Sequence, residues 1–268
     1  MIARILTSLA LPLAALLPQA ATAESPVPLS QVVKAEILPG WQTGSGTHMT
    51  GLRLSLAPGW KTYWRAPGDA GIPPHFDWSG SQNLSAAQIH WPRPTVFHLD
   101  GVRSIGYQSD VVLPIELTPG DSTAPLSVRG TVSIGICDEI CVPMTLNLSA
   151  DLPRQGAGNA AIRAALDDRP DRSNADVICQ IDPIDDGLRL TATIPARGIG
   201  KPVEAVIETA DPAIWVSEPA LRHSNGALVA VADLVPADAA PFALDRSGLR
   251  FTLLSGAKAV EIQGCTGG

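Results

Sequence analysis

Long apolar segments are missing from this 268-residue chain beyond its first 23 residues. A membrane-spanning helix needs about 20 consecutive apolar residues, and because no later stretch approaches that length, we expect no membrane span there. Basic residues are also too few to balance the acidic ones, with 19 Lys and Arg against 26 Asp and Glu. The resulting negative charge disfavours nucleic acid and anionic membrane surfaces as partners.

A thioredoxin-type Cys-x-x-Cys motif is absent too, because no two of the four cysteines are separated by two residues. The chain by itself is therefore not expected to act as an isomerase or oxidase. No metal-ligand spacing links the scattered histidines, so we predict no metal site among them and no cofactor. These histidines are His48, His75, His90 and His223.

The first 23 residues have the pattern of a cleaved secretory signal. Arg4 precedes an apolar run at residues 5–17, and the small-residue site Ala21-Thr22-Ala23 follows. We therefore predict export and a mature chain that begins near Glu24, with an uncleaved anchor as the alternative. Without Arg4 the mature chain has 18 basic and 26 acidic residues, a net charge of −8. Four cysteines in an exported chain indicate an oxidising compartment.

Short strands are the dominant pattern of the mature chain. The sequence contains 24 Gly and 24 Pro, which interrupt it repeatedly. Between them, stretches such as 52–56 and 127–132 alternate apolar and polar residues. Alternation of this kind indicates half-buried strands, and many short strands indicate sandwiches. We therefore predict an all-β protein.

One Ala-rich segment, residues 159–166, predicts a short helix that ends before Pro170. Because a loop-like stretch at 153–158 precedes it, we place the helix in a linker between two sandwiches. The predicted organisation is a signal peptide at 1–23, a first sandwich at 24–153, a linker at 154–174 and a second, smaller sandwich at 175–268. Strands of the second sandwich are predicted at 203–207, 227–231, 249–253 and 259–262.

Two cysteines lie close together in the stretch Gly135-Ile-Cys-Asp-Glu-Ile-Cys-Val-Pro143. Alternating stretches flank Cys137 and Cys141, so we predict a hairpin with a three-residue loop at 138–140 and the cysteines opposed across it. Opposed residues lie about 4.5 to 5.5 Å apart at Cα, inside the ~4.4 to 6.8 Å that a disulfide accepts. A disulfide can then form with little movement of the backbone.

The residues alone do not distinguish a structural function from a redox function for this pair. A small ring adds little loop-closure stability, so the structural gain is modest. The acidic neighbours Asp138 and Glu139 disfavour a thiolate, which makes the pair a disulfide that a partner's thiolate attacks. A plain hairpin staple and a redox pair fit the spacing about equally.

Several separated motifs resemble the amino-terminal periplasmic domain of the DsbD and ScsB thiol:disulfide interchange proteins. They span about residues 30–153 and comprise Pro58–Pro74, Phe76–Ser79, Gly106–Tyr107, Val111–Pro114 and Gly135–Pro143. The resemblance implies an immunoglobulin-like sandwich in the periplasm, with Cys137 and Cys141 as the catalytic redox pair. In that family, electrons pass from a membrane-embedded transporter domain to periplasmic thioredoxin-like proteins. The chain would then be a component of a protein-disulfide reductase.

Two departures from the family pattern affect the expected partners. Three residues separate the cysteines, as in the ScsB-like branch, whereas the best-known DsbD domains have a longer insert. The chain also ends at Gly268 without the transmembrane and thioredoxin-like regions of family members. We therefore expect a thioredoxin-like periplasmic partner and a separate membrane electron-transfer protein.

The resemblance also implies a loop that shields the disulfide, at residues 95–103. In it, Phe97 and Leu99 would form an apolar cap, while His98 and Asp100 would serve proton transfer. The aromatic residues of strand 61–64 would line the site as well. The competing interpretations are ordinary packing for Phe97 and for Tyr63 and Trp64, and a solvated loop histidine for His98.

The other two cysteines, Cys179 and Cys265, lie near the two ends of the second predicted domain. Neighbouring first and last strands would allow a structural disulfide between them, and a free Cys265 thiol is the alternative. Two other functions compete with a redox relay. One is Cu(I) handling by Cys137, Cys141 and Met144. The other is a non-redox binding module in which both disulfides are structural.

Overall fold

The computed structural model describes residues 28–69, 71–99, 101–196, 198–200, 203–224, 226–239 and 242–268. The predicted signal peptide, residues 1–23, lies outside them. Strands dominate the described residues, which confirms the all-β prediction. No helix within the described residues is long and apolar enough to cross a membrane.

The first sandwich, formed by two facing sheets, follows a one-turn helix, α1 (Leu29–Val32). Its strands are β1 (Val33–Gln42), β2 (His48–Leu56), β3 (Lys61–Tyr63), β4 (His75–Asp77), β5 (Leu84–Ile89), β6 (Thr95–Leu99), β7 (Val102–Tyr107), β8 (Val111–Pro119), β9 (Leu126–Cys137) and β10 (Cys141–Leu152). One sheet has the order β1-β2-β8-β5. The other has the order β10-β9-β3-β7-β6, and β4 also pairs with β9.

Alternation along these strands builds the core between the two sheets. In β9, the even-numbered residues 132, 134 and 136 are buried in the first core cluster, whereas the odd-numbered positions face away from it. The opposite sheet contributes residues of β2 and β8. The first core cluster includes Leu52, Leu54, Trp64, Ile105, Leu113, Ile115, Val132, Ile134 and Ile136. Cys137 and the other odd-numbered residues of β9 therefore lie on the outer face of the sheet.

The predicted helix is present as α2 (Ala160–Asp167) and packs on the first sandwich. Asn159 caps its N-terminus, because the side-chain oxygen accepts hydrogen bonds from the backbone N–H groups of Ala161 and Ile162. Ile162 is fully buried with Leu38 and Met49 against the sheet that contains β1 and β2. This helix is therefore part of a packed layer on that sheet.

The second sandwich also consists of two sheets. Its strands are β11 (Asp171–Ser173), β12 (Ile178–Ile184), β13 (Gly187–Pro195), β14 (Glu204–Glu208), β15 (Ile214–Val216), β16 (Ala220–Ser224), β17 (Ala227–Pro236), β18 (Arg250–Ser255), β19 (Lys258–Gln263) and β20 (Thr266–Gly267). The sheet orders are β11-β19-β18-β14 and β15-β17-β13-β12-β20, with β16 also on β17. A short 3-10 helix, Arg246–Gly248, precedes β18.

A second large hydrophobic cluster centres on residues of β13, β17 and β18. The first core cluster also takes in three buried residues of the second sandwich, Val206, Leu254 and Ala259. The strands predicted at 203–207, 227–231, 249–253 and 259–262 are present and begin within a residue of their predicted starts, but β17 extends five residues and β18 two residues beyond the predicted ends. Strand β11 lies inside the predicted linker, where it pairs with β19 of the second sandwich. The domain boundaries themselves stay a prediction.

Candidate functional site: a hairpin disulfide under a buried tyrosine

The two clustered cysteines close the hairpin between β9 and β10. Strand β9 ends at Cys137, β10 begins at Cys141, and the register pairs them directly, which confirms the predicted hairpin. Within the loop, the backbone N–H of Asp138 donates to the carbonyl oxygen of Ile140 at 3.1 Å. The two sulfurs are bonded, and the Cα atoms lie 4.1 Å apart, slightly closer than the sequence predicts. Opposed strand positions therefore supply the disulfide geometry.

The two half-cystines differ sharply in their access to solvent. Cys137 is only 1% exposed, whereas Cys141 is an exposed residue. Next to it, Ile140 at the loop tip is 66% exposed. Cys141 is therefore the more accessible residue of the pair. Spacing alone does not distinguish the two cysteines, because both flank the same loop.

A tyrosine on the neighbouring strand β3 contacts both sulfurs. The hydroxyl oxygen of Tyr63 lies 3.0 Å from Sγ of Cys137 and 3.1 Å from Sγ of Cys141. Disulfide sulfurs carry no hydrogen, so the hydroxyl is the donor. Tyr63 is only 2% exposed, and burial raises the pKa of its hydroxyl against a smaller lowering effect of Ser104. The hydroxyl therefore keeps its proton at neutral pH.

The adjacent aromatic residue, Trp64, is placed differently from the prediction that it lines the site. It is fully buried in the first core cluster, which lies on the other face of the sheet from the disulfide. Successive side chains of a strand point to opposite faces, so Tyr63 and Trp64 cannot both line the same site. Of these two aromatic residues, Tyr63 is the one that reaches the sulfurs.

A glycine makes the position of Tyr63 possible. Gly135 lies two residues before Cys137 and so on the same face of β9. A Cβ atom added to Gly135 would lie 2.8 Å from two carbons of the Tyr63 ring and 2.8 Å from Cβ of Ile72. Any larger residue would push the ring away from the strand. The sequence contains Gly135 within the cysteine motif, but its packing role depends on the cross-strand register.

Replacing Gly135 by alanine is therefore expected to disturb the site. Overpacking of this kind typically costs about 1 to 3 kcal/mol of unfolding free energy. The measurement is urea unfolding of the oxidised Gly135→Ala variant. The matched control is Gly44→Ala, because Gly44 has no positive φ and an added Cβ there meets no atom within 4 Å. Equal stability of the two variants would contradict the packing account.

A lysine that the sequence argument overlooked lies beside the buried half-cystine. Lys61 is the cross-strand neighbour of Cys137, and side chains so opposed have Cβ atoms about 4.5 to 5.5 Å apart. Its Nζ donates to the carbonyl oxygen of Gly59 at 2.9 Å and lies 3.9 Å from Oδ1 of Asp138. A cation in this place favours a Cys137 thiolate. It opposes the effect expected from Asp138 and Glu139.

The predicted shielding loop forms the hairpin of β6 and β7, away from the cysteines in the sheet. Phe97 pairs with Ser104 and is buried, while His98 pairs with Arg103 and is exposed. Strands β7 and β3 lie between β6 and β9 in the sheet. Three inter-strand spacings, about 14 Å in all, therefore separate Phe97 on β6 from β9, which ends at Cys137. Asp100 and the side chain of Leu99 lie outside what the structure describes. The cap and proton-transfer roles of these four residues stay predictions.

The register of β9 and β10 does not support Cu(I) handling by Cys137, Cys141 and Met144. Met144 pairs with Ile134 and packs against the first core cluster, whereas Cys141 lies on the outer face. The three sulfur atoms therefore do not converge. Within the described residues, no three His, Cys, Asp or Glu side chains are grouped to hold a metal ion.

The second disulfide joins Cys179 to Cys265, with the Cα atoms 5.8 Å apart. Strand β12, which contains Cys179, is the parallel neighbour of the terminal strand β20. Cys179 is fully buried in the second hydrophobic cluster, and Cys265 packs against that cluster. The bond thus ties the end of the chain to the start of the second sandwich. Its structural role stays a prediction.

The fold and the hairpin define the class: an immunoglobulin-like β-sandwich that carries an accessible disulfide, a thiol:disulfide interchange domain. Residues 32–153 match the family model described as "Thiol:disulfide interchange protein DsbD, N-terminal". This part of the chain is similar to the DsbD N-terminal family.

A solved structure extends the likeness to the second sandwich. The crystal structure of the N-terminal periplasmic domain of ScsB from Proteus mirabilis has 25% sequence identity and a TM-score of 0.63 to this chain. The match covers 88% of this chain and 92% of that chain, and so includes both sandwiches. Among curated protein sequences, none matches the chain.

Proposed function

We propose that this protein relays reducing equivalents in the periplasm through a reversible Cys137–Cys141 disulfide. The donor is a separate membrane electron-transfer protein, and the acceptor is a thioredoxin-like periplasmic protein. The observation that carries the proposal is the asymmetry of the pair, with an exposed Cys141 and a Cys137 buried under Tyr63. A plain staple has no need of this asymmetry.

The asymmetry assigns a role to each sulfur. A thiolate of the donor attacks Sγ of Cys141, the Cys137–Cys141 bond breaks, and its electron pair leaves on Cys137 as a thiolate. A second donor thiol then attacks the mixed disulfide and releases Cys141, so the donor ends oxidised and the pair reduced. In the next exchange, the Cys141 thiolate attacks an acceptor disulfide, and Cys137 resolves that mixed disulfide.

Two neighbouring side chains support the leaving sulfur. Tyr63 holds a protonated hydroxyl within hydrogen-bond distance of Sγ of Cys137, so it can donate to a thiolate there. Lys61 is the cross-strand neighbour of the same cysteine and supplies a positive charge. Both effects stabilise the reduced form of the pair.

A Tyr63→Phe variant is expected to have a more negative reduction potential. A hydrogen bond to a charged group contributes about 1.5 to 3 kcal/mol, which corresponds to roughly 30 to 60 mV for a two-electron couple. The control is Tyr107→Phe, because the hydroxyl of Tyr107 donates to the carbonyl oxygen of Pro92 at 2.9 Å, inside the core. A Tyr63→Phe potential that equals that of the control would show that the hydroxyl does not act on the sulfurs.

Location and partners rest on the family and on the negative charge. The similar ScsB domain is periplasmic by its title, and residues 1–23 have the pattern of a signal peptide. The family's electron route supports the two partners. On this proposal, the domains are 24–153 for redox exchange and 175–268 for the second sandwich, joined by the linker 154–174.

Reduced thioredoxin serves as the test of electron exchange. The oxidised protein is mixed with it, quenched by acid and mapped by mass spectrometry for the two disulfides separately. We expect reduction of Cys137–Cys141 while the buried Cys179–Cys265 bond stays oxidised. Persistence of both disulfides, or earlier loss of Cys179–Cys265, would leave a non-redox binding module as the function.

A further inference from the structure

The segment at residues 65–73, described except for residue 70, lies between β3 and β4 and reaches the disulfide site at one end. There, Cβ of Ile72 lies against Gly135 beside the Tyr63 ring. At the other end, the carbonyl oxygen of Pro67 accepts a hydrogen bond from the backbone N–H of Ile105 at 2.9 Å. Gly68 lies so close to the carbonyl oxygen of Arg103 that an added Cβ would be 3.0 Å from it. The segment thus runs from the backbone of β7 to the ring that covers Cys137.

Two arginines bind this region to the second sandwich. Arg65 donates to Glu208 at 2.9 Å and to Glu261 at 2.6 Å. Burial alone would lower the pKa of Arg65, but hydrogen bonds and charges of both glutamates raise it above the ordinary value, so the guanidinium stays charged. The guanidinium also lies 4.0 Å from the centroid of the Trp64 ring.

Arg103, on β7, makes the second connection. Its side chain is only 7% exposed. It donates to Glu204 at 3.2 Å and to the carbonyl oxygen of Ala205 at 3.1 Å. Glu218 is a further neighbour at 3.6 Å. Arg65 and Arg103, both in the first sandwich, are therefore paired with acidic side chains of the second sandwich.

Continuous packing does not hold the segment against the second sandwich. A cleft of about 370 Å³ lies between them, with Pro67 and Pro73 on one wall and Ile214 and Trp215 on the other. The segment therefore has room to move once the arginine contacts are lost. Beyond the cleft, Val206, Leu254 and Ala259 of the second sandwich pack into the first core cluster, so the two ionic connections act together with this apolar contact.

We propose that the second sandwich braces the redox site, with Arg65 and Arg103 as positioning residues that hold the 65–73 segment and Tyr63 over Cys137. The brace keeps the buried sulfur covered and confines attack to Cys141. This inference rests on the proposed exchange function, since it explains how that exchange is directed to one sulfur. It gives the second sandwich a role at a site to which it contributes no sulfur.

Site-specific alkylation of the fully reduced protein tests the brace. Iodoacetamide modifies each thiol, and peptide mass spectrometry reports the rates at Cys137 and Cys141 separately. In Arg103→Met, we expect the Cys137 rate relative to that of Cys141 to rise about tenfold, as a loss of ~1.4 kcal/mol in local opening free energy would produce. Glu204 and Glu218 are 39% and 52% exposed, so water can solvate them in this variant.

The matched control is Arg189→Met, which removes an ion pair with Asp233 on the second sandwich and is expected to leave the ratio of rates unchanged. The double variant Glu204→Gln, Glu218→Gln breaks the same connection from the other side and replaces Arg103→Met if that protein does not fold. An unchanged ratio in these variants, or an equal increase at both thiols, would overturn the brace. The ratio is measurable even if the disulfide proves unable to exchange with thioredoxin, so failure of the proposed function is distinguishable.

Discussion

The Cys141 thiol of a Cys137→Ser variant is expected to form mixed disulfides on the order of 100-fold faster than the Cys137 thiol of a Cys141→Ser variant. The reason is that reaction at a buried thiol requires local opening of the structure. The cause is the difference in burial, since Cys137 is almost fully covered and Cys141 is exposed. The measurement is the rate of reaction with oxidised glutathione at neutral pH.

The comparison needs a correction for thiolate content, because only the thiolate reacts. Measuring both rates as a function of pH gives the pKa of each thiol and the limiting rate of its thiolate. We expect the difference in limiting rates to remain after this correction, because access causes it. Equal limiting rates would show that burial under Tyr63 does not control which sulfur reacts.

Removing the second disulfide, in a Cys179→Ala, Cys265→Ala variant, is expected to cost about 4 to 5 kcal/mol of unfolding free energy in the chain-entropy model. The sequence separation of 86 residues makes the closed loop long. Removing Cys137–Cys141, which closes a loop of sequence separation 4, should cost only about 2 kcal/mol in the same model. Urea unfolding of the two double variants and of the wild type measures both quantities.

Removal of the two disulfides is expected to affect thiol exchange in opposite ways. The protein without Cys179–Cys265 should keep thiol exchange at the hairpin wherever it remains folded. The protein without Cys137–Cys141 should lose only about 2 kcal/mol of unfolding free energy and be inactive in exchange. A larger loss of stability at the hairpin than at the long loop would contradict the division into a redox disulfide and a structural one.

Much of the fold could be predicted from local sequence patterns. Strands such as 127–132 are visible because alternation is a property of neighbouring residues. The helix at 159–166 was predictable from its Ala content and the following proline, and the structure adds the Asn159 cap. The hairpin at 137–141 was likewise predictable, because a short loop between alternating stretches leaves few other arrangements.

The chemistry around the sulfurs depends on contacts between distant strands, which no local pattern reveals. Tyr63 reaches the disulfide because β3 pairs with β9 and because Gly135 leaves room for the ring. Lys61 was missed for the same reason, since its nearness to Cys137 is a matter of register. The difference in burial between Cys137 and Cys141 also appears only when the sheet is assembled.

Contacts between the sandwiches were beyond sequence reasoning as well. The partners of Arg65 and Arg103 lie more than 100 positions away in the chain, and charged residues in strands are most often solvated. Their burial is a property of the assembled pair of sandwiches.

The equilibrium reduction potential of Cys137–Cys141 tests the central claim most directly. The protein is equilibrated with a series of glutathione redox buffers, and mass spectrometry follows the two disulfides separately. We expect a hairpin potential within the roughly −270 to −120 mV span of exchange proteins. A hairpin disulfide that stays oxidised below about −300 mV would behave as a structural bond and would contradict the relay.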